Sequence, residues 1–260
     1  MPSEAVNRTL VIVRDPPPPS QSPPPNSAMA QQRGGRGEGN VRVVPKWAAP
    51  PDTHTLVMLG DSAPEAAAAL RVVRHRLESK RAEGVRVLGV TSARDGQGKS
   101  TFAAQLALVL SESQRARVLL VEANFRRPSL ARLLGFQLAP GEGFSTQIVK
   151  RMRGDHDPWS VVALGPALHV LAEAPTQPSM PEALHAHEFA SAVRFLAHGY
   201  DFVVVDGPSA LGAGEANVVE SAVDGMLVVV RSNLSTGSDV RAAIASIGTQ
   251  KTVGAVLWDA

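Results

Sequence analysis

From about residue 64 onward, apolar and polar positions alternate between two rhythms. "PEAAAALRVVRHRLESKRAEG" carries helix formers throughout and a basic face, with Gly84 as its stop. "VRVLGVTS" then reads as a buried strand, and after a glycine-rich turn "KSTFAAQLALVLSES" returns to helical spacing. Short β-branched runs recur at "RVLLVEA", "LHVLAEA", "DFVVVDG", "GMLVVVR" and "VGAVLW", most of them separated by enough residues for a crossover helix. The pattern predicts an α/β fold whose mostly parallel central sheet is covered by helices on both faces. Ligands of such sheets sit beyond the carboxyl ends of the strands.

The first 51 residues follow neither rhythm and hold eleven of the twenty prolines, in runs such as "DPPPPSQSPPPNS", followed by the polar "QQRGGRGEGN". Such a segment buries too little apolar area to offset its ordering entropy. Residues 1–55 are therefore expected to be a disordered leader, a spacer or a docking tail, with "RTLVIVRD" as a short strand or sticky peptide. Residues 56–260 form the expected nucleotide-binding domain.

Composition narrows the classes. The chain of 260 residues is 44% hydrophobic but only 4% aromatic, so aliphatic side chains must build its core. Net charge is +2, and six basic against three acidic residues in the first 50 leave about −1 for the remainder. The basic pI therefore says little about nucleic acid, and no nucleic-acid partner is expected. Cysteine is absent, which excludes disulfides and thiolate metal sites. No apolar run reaches membrane-spanning length and no signal core opens the chain, so a cytoplasmic protein is expected.

The chemistry concentrates in "GVTSARDGQGKSTFAAQLALVL". Asp95, Gly96, Gln97, Gly98, Lys99, Ser100 and Thr101 form a candidate phosphate loop, in which glycines lacking Cβ let backbone amides approach phosphate oxygens. Lys99 supplies a point charge to the outer phosphates, Ser100 a hydroxyl for magnesium, and the helix start a positive dipole end. The strict pattern has glycine six places before the lysine, where this chain has Ala93. A magnesium shell also needs carboxylates at strand ends. Glu122 after "RVLLV" and Asp206 after "DFVVV" qualify. Asp206 would orient the metal or its water, and Glu122 would accept a proton from the attacking hydroxyl or bind the metal through water. The candidate catalytic residues are thus Lys99, Glu122 and Asp206, and the candidate metal ligands Ser100, Glu122 and Asp206.

With these segments in place, residues from about Glu65 to Leu257 resemble the bacterial tyrosine kinases of capsule and exopolysaccharide export, P-loop NTPases related to the partition and division-site ATPases. "GQGKST" matches the first phosphate motif of that family, "VLLVEANFRRPSL" the second and "YDFVVVDGP" the third, with further agreement at "PSMPEAL" and "VDGMLVVVR". The resemblance implies ATP and magnesium. It also implies ring-like self-association and a transmembrane polysaccharide co-polymerase as partner, whose cytoplasmic segment would hold the chain at the inner membrane.

Departures from the family pattern bear on activity. Glu122 stands where the family has aspartate, and Asn124 where it has a second aspartate, so one negative charge near the metal is missing. In the first helix Ala67 and Ala68 replace an aromatic and an arginine used in subunit contacts, while Glu65, Leu70 and Arg71 match and Arg74 follows one turn later. The only tyrosine, Tyr200, precedes the third motif, where a packing or turn role is expected, and no tyrosine-rich tail follows it within the chain. Arg94 is read as an exposed loop arginine. His185 and His187, two apart, are read as surface residues. Three readings result: a tyrosine kinase acting on other proteins, a nucleotide-binding regulatory subunit without phosphotransfer, and a positioning ATPase of the partition type. The third lacks an amphipathic C-terminal helix and a dense basic patch.

Overall fold

A computed structural model describes residues 10–13, 41–44, 47–48, 56–59, 63–174, 186–212 and 214–258. Its main feature is a nine-stranded sheet. In chain order the strands are β1 (Leu10–Val13), β2 (Val41–Val44), β4 (Val87–Ser92), β5 (Val118–Glu122), β7 (Trp159–Ala163), β8 (Leu168–Leu171), β9 (Phe202–Asp206), β10 (Gly225–Arg231) and β11 (Thr252–Trp258). Two further short strands, β3 (Trp47–Ala48) and β6 (Phe136–Gln137), pair separately. Across the sheet the order is β1-β11-β10-β4-β9-β5-β8-β7-β2.

From β11 through β8 every neighbouring pair is parallel. Six of the nine strands thus meet the parallel expectation. The exceptions lie towards the edges. β7 runs antiparallel to β8, because residues 164–167 between them are too few for a crossover helix. β2 pairs parallel with β7, and β1 pairs antiparallel with β11. Both edge strands come from the stretch expected to be a leader, so that stretch is not structureless throughout. The apolar β-branched runs "LVIV" and "VRVV" supply what the prolines around them cannot. Apart from Trp47–Ala48 of β3, its other residues lie outside the described residues, as do "PSMPEAL" and His185.

Helices cover both faces. Along β5, Val118 and Leu120 join Leu88, Val90, Val204 and Leu227 in one apolar layer beneath α1 (Pro64–Ala82), α2 (Lys99–Ser111) and α3 (Leu130–Leu134). Leu119 and Val121 point the other way, into a layer with Val203, Val205 and Val228 beneath α4 (Phe144–Met152), α5 (Ala186–Ala197), α6 (Glu215–Ala222) and α7 (Gly237–Ile247). The period-2 alternation of strands buried on both sides produces these two layers. Aromatics are few but clustered: Phe144 contacts Phe125, Trp159 and Phe189 with ring centroids 5.9, 5.8 and 5.9 Å away.

Tyr200 has the packing role expected of it. It is buried, its hydroxyl meets His169 Nδ1 at 2.8 Å, and Arg117 lies over its ring. Burial pushes the Tyr200 phenol up to about 12. Arg71 and Arg74 of α1 both pair with Glu112 at the end of α2, at 2.5 and 2.7 Å. Among the described residues no helix is long and apolar enough to cross a membrane.

Candidate functional site

The parallel strands place their carboxyl ends side by side. Asp206 at the end of β9 is in register with Glu122 of β5 on one side and with Val90 of β4 on the other. The glycine loop, residues 93–98, leaves β4 at this same edge and enters α2. Gly96 and Gly98 have φ of 78° and 86°, a region where a Cβ is strained, and Gly98 caps α2 with no side chain over the helix amides. Around them the loop is braced. Gln97 is buried and its Oε1 accepts the Arg94 amide at 3.0 Å, while the Ser92 hydroxyl donates to the Arg94 carbonyl at 2.6 Å. The Arg94 guanidinium lies outside, held by both oxygens of Asp239 on α7 at 3.0 Å, and is exposed as expected.

Lys99 is buried, and its ammonium lies 3.3 Å from Asp95 Oδ1. Asp95 Oδ2 meets Arg127 at 3.6 Å. Partial burial opposes the charge on Asp95, but Lys99, Ser209 and Arg127 together hold its carboxyl below the usual range. Ser100 and Thr101 follow on the first turn of α2, both half-buried.

Asp206 is completely buried, and neither carboxylate oxygen has a hydrogen-bond partner of standard geometry. Burial pushes it up to about 7, opposed by the Ser100 hydroxyl and the Lys99 ammonium. A buried carboxylate without partners is costly, and proteins keep one chiefly where an ion or catalytic role compensates. An orphaned acid beside a hydroxyl, a buried ammonium and an uncapped helix start together fit a magnesium-bound phosphate.

Glu122 occupies the same edge but its carboxylate is engaged. Oε1 accepts the amides of Ser129 and of Leu130, the latter at 2.9 Å, and Oε2 accepts the Glu173 amide at 2.9 Å. Burial pushes it up to about 8; the Glu173 amide lowers it, the Asp206 charge raises it further, and the Leu130 and Ser129 amides lower it. The structure thus brings Asp95, Lys99, Ser100 and Asp206 together, and sets Glu122 beside them as an acceptor for the loop after β5. Asn124 turns that loop, its carbonyl accepting the Arg127 amide at 3.1 Å. His187 is on the surface, with 86% of its side chain exposed.

Three participants were not singled out from sequence. Glu173, buried after β8, accepts the Ser145 amide at the start of α4 at 2.7 Å, and the strand-then-acid signal that marked Glu122 also marks it. Arg127 lies within the quoted "RRPSL" segment, but nothing there assigns it to the glycine loop; Asp239 carries no local signal, because it meets that loop only through tertiary packing.

A glycine loop between a buried parallel strand and a helix, with an orphaned strand-end acid beside it, defines the fold class as that of the P-loop NTPases. The known proteins it resembles narrow the class further: the chain's relatives are bacterial tyrosine-protein kinases, and its structural neighbours include bacterial tyrosine kinase domains. It is 29% identical to the tyrosine-protein kinase YwqD of Bacillus subtilis over 171 residues, covering 65% of this chain and 70% of that protein. It is 27% identical over 191 residues to the putative tyrosine-protein kinase CapB of Staphylococcus aureus, covering 72% and 81%. The kinase domain of the Escherichia coli tyrosine kinase ETK superposes with a TM-score of 0.66 at 25% identity, covering 77% of this chain and 78% of that one. No protein-family model matches the chain.

Proposed function

We propose that this chain binds ATP with magnesium at the glycine loop and acts as a tyrosine-kinase-like component of polysaccharide export. In this reading it works in the cytoplasm with the cytoplasmic segment of a transmembrane co-polymerase and regulates polymerisation of the chain being exported. The observation that carries the reading is the Asp206 carboxylate, completely buried beside Lys99 and Ser100 with no hydrogen bond of standard geometry to either oxygen. Lys99 neutralises charge on the outer phosphates, the loop amides around Gly96 and Gly98 hold their oxygens, and Ser100 and Asp206 hold the metal. Magnesium, when bound, supplies charge neutralisation on the phosphate oxygens and relieves the burial cost of Asp206. Transfer moves the terminal phosphoryl group from the ADP oxygen to an acceptor hydroxyl, whose proton passes to Glu122. Pushed up to about 8, the Glu122 carboxyl is a stronger base than an ordinary glutamate, and it takes that proton only in its ionised form, the minority at neutral pH.

Tyr200, buried against His169, is ill-placed as acceptor, so the acceptor tyrosine belongs to another protein or lies beyond these 260 residues. A regulatory reading without phosphotransfer is favoured by one observation: the oxygens of Glu122 are occupied by three backbone amides. Ring-like self-association draws least support, since Arg71 and Arg74 close on Glu112 within the same chain.

The test combines purified protein, magnesium, radiolabelled ATP and the cytoplasmic segment of the cognate export protein. Label on tyrosine supports the kinase, and nucleotide-dependent association without label supports the regulator. Lys99→Met is expected to weaken ATP binding by about 10- to 100-fold in calorimetry, the worth of one charge-assisted contact to phosphate. Unchanged binding would contradict the assignment.

A further inference from the structure

Asp95 is an acid inside a loop whose expected guest is an anion. Its two oxygens meet two cations: Oδ1 lies 3.3 Å from the Lys99 ammonium and Oδ2 lies 3.6 Å from Arg127. The carboxylate therefore bridges Lys99 to a guanidinium that arrives from the far side of the site, on the loop after β5. Both contacts are longer than a well-formed charge-assisted bond, and Asp95 and Arg127 are 45% and 74% exposed. Bridges of this kind are weak and readily exchanged. A phosphate offers acceptor oxygens with more charge than a carboxylate, so it can take both cations from Asp95.

Arg127 is also held in place as a binding group must be. Phe125, two residues earlier, is buried against Phe144 and Phe189. Arg126 pairs with Glu215 of α6 at 2.6 Å, and the Ser129 and Leu130 amides are anchored on Glu122. The backbone carrying Arg127 is thereby fixed on both sides while its side chain reaches the glycine loop. Of Arg94, Arg126 and Arg127, the first two make close pairs with Asp239 and Glu215, and only the third is committed to the loop's own acid.

We propose that Arg127 is a second cation of the triphosphate site, acting on the terminal phosphate, and that Asp95 is the carboxylate this phosphate displaces from Lys99 and Arg127. The proposal rests on the ATP reading above and adds to it a residue that separates triphosphate from diphosphate. Calorimetry with magnesium and either ATP or ADP, on the full chain and its variants, tests it.

Arg127→Ala is expected to weaken ATP binding about tenfold and leave ADP within about twofold, the difference of one charged contact to the last phosphate. Arg127→Lys is expected to recover part of the loss, and Asp95→Asn to tighten ATP several-fold by removing the competing acid. Because Arg127 is exposed, the alanine variant should melt with the wild type, which separates lost binding from lost folding. Equal losses for ATP and ADP, or no loss, overturn the role of Arg127. Weaker ATP binding in Asp95→Asn overturns the role of Asp95. If the wild type binds ATP and Lys99→Met does not, these results concern this inference alone; if the wild type binds no nucleotide, both readings fall.

Discussion

Replacing Asp206 by asparagine is expected to stabilise the protein without magnesium and nucleotide, while removing the proposed metal ligand. The folded pKa of about 7 lies above the ordinary value of 3.8, so the folded chain holds this proton more tightly than the unfolded chain does. Stability from Asp206 is therefore present at low pH and is lost as pH rises between about 4 and 7. Integrating that shift, the wild type carries a penalty of ~2 kcal/mol at pH 5 and ~4 kcal/mol at pH 8. Asparagine does not titrate; its buried amide adds a roughly constant cost of ~1–3 kcal/mol. The difference between pH 5 and pH 8 is then the informative quantity. The variant should gain on the wild type by roughly 2–3 kcal/mol across that range, or roughly 5–10 °C in melting temperature for a domain of this size. Glu122 acts in the same direction, because the Asp206 charge that raises it would be gone. The assay is a series of thermal melts in chelator from pH 5 to pH 8 for both proteins. A melting-temperature gap that stays constant with pH would refute the idea that Asp206 is a buried carboxyl awaiting a cation.

Two other perturbations separate scaffold from site. Phe144→Ala removes the ring that joins Phe125, Trp159 and Phe189, and should cost ~3–5 kcal/mol in urea unfolding. ATP binding per folded molecule should survive, since Phe144 lies outside the phosphate loop, and its loss in folded protein would contradict the separation. Glu122→Ala leaves the amides of Ser129, Leu130 and Glu173 without their acceptor and should cost ~3 kcal/mol or more at about pH 4, where the raised Glu122 pKa carries little penalty, read by denaturant titration. A near-neutral effect would show that these amides find other partners.

How much of this was legible beforehand depends on the range of the force involved. The β-branched runs, the helical spacing of "KSTFAAQLALVLSES" and the glycines of "GQGKS" are local patterns, and the elements they specify form where expected. Strand alternation also carries the two apolar layers, because side-chain direction follows from the backbone alone. Asp206 and Glu122 could be picked out at strand ends for the same reason. What those acids then do could not be read there. Asp206 is an orphan because β4 and β5 enclose it, and Glu122 is engaged because the loop after β5 folds back onto it.

Edge strands illustrate the same division. "LVIV" and "VRVV" are apolar enough to pair but too short and too hemmed by proline to announce a partner, and only the open flanks of β11 and β7 recruit them. The chain by itself determined the repeating strand and helix units, the glycine loop between strand and helix, and the acids at the strand ends, since each is a matter of residue type and spacing. The tertiary structure alone decided that Asp95 would bridge Lys99 to Arg127, that Arg94 would be held by Asp239, and that one carboxyl would be satisfied and its neighbour not. Asp95 and Lys99 are close in sequence, but Arg127, Asp239 and Glu173 reach their partners from other elements, and burial and charge act on these pairings only after the sheet has brought the strand ends together.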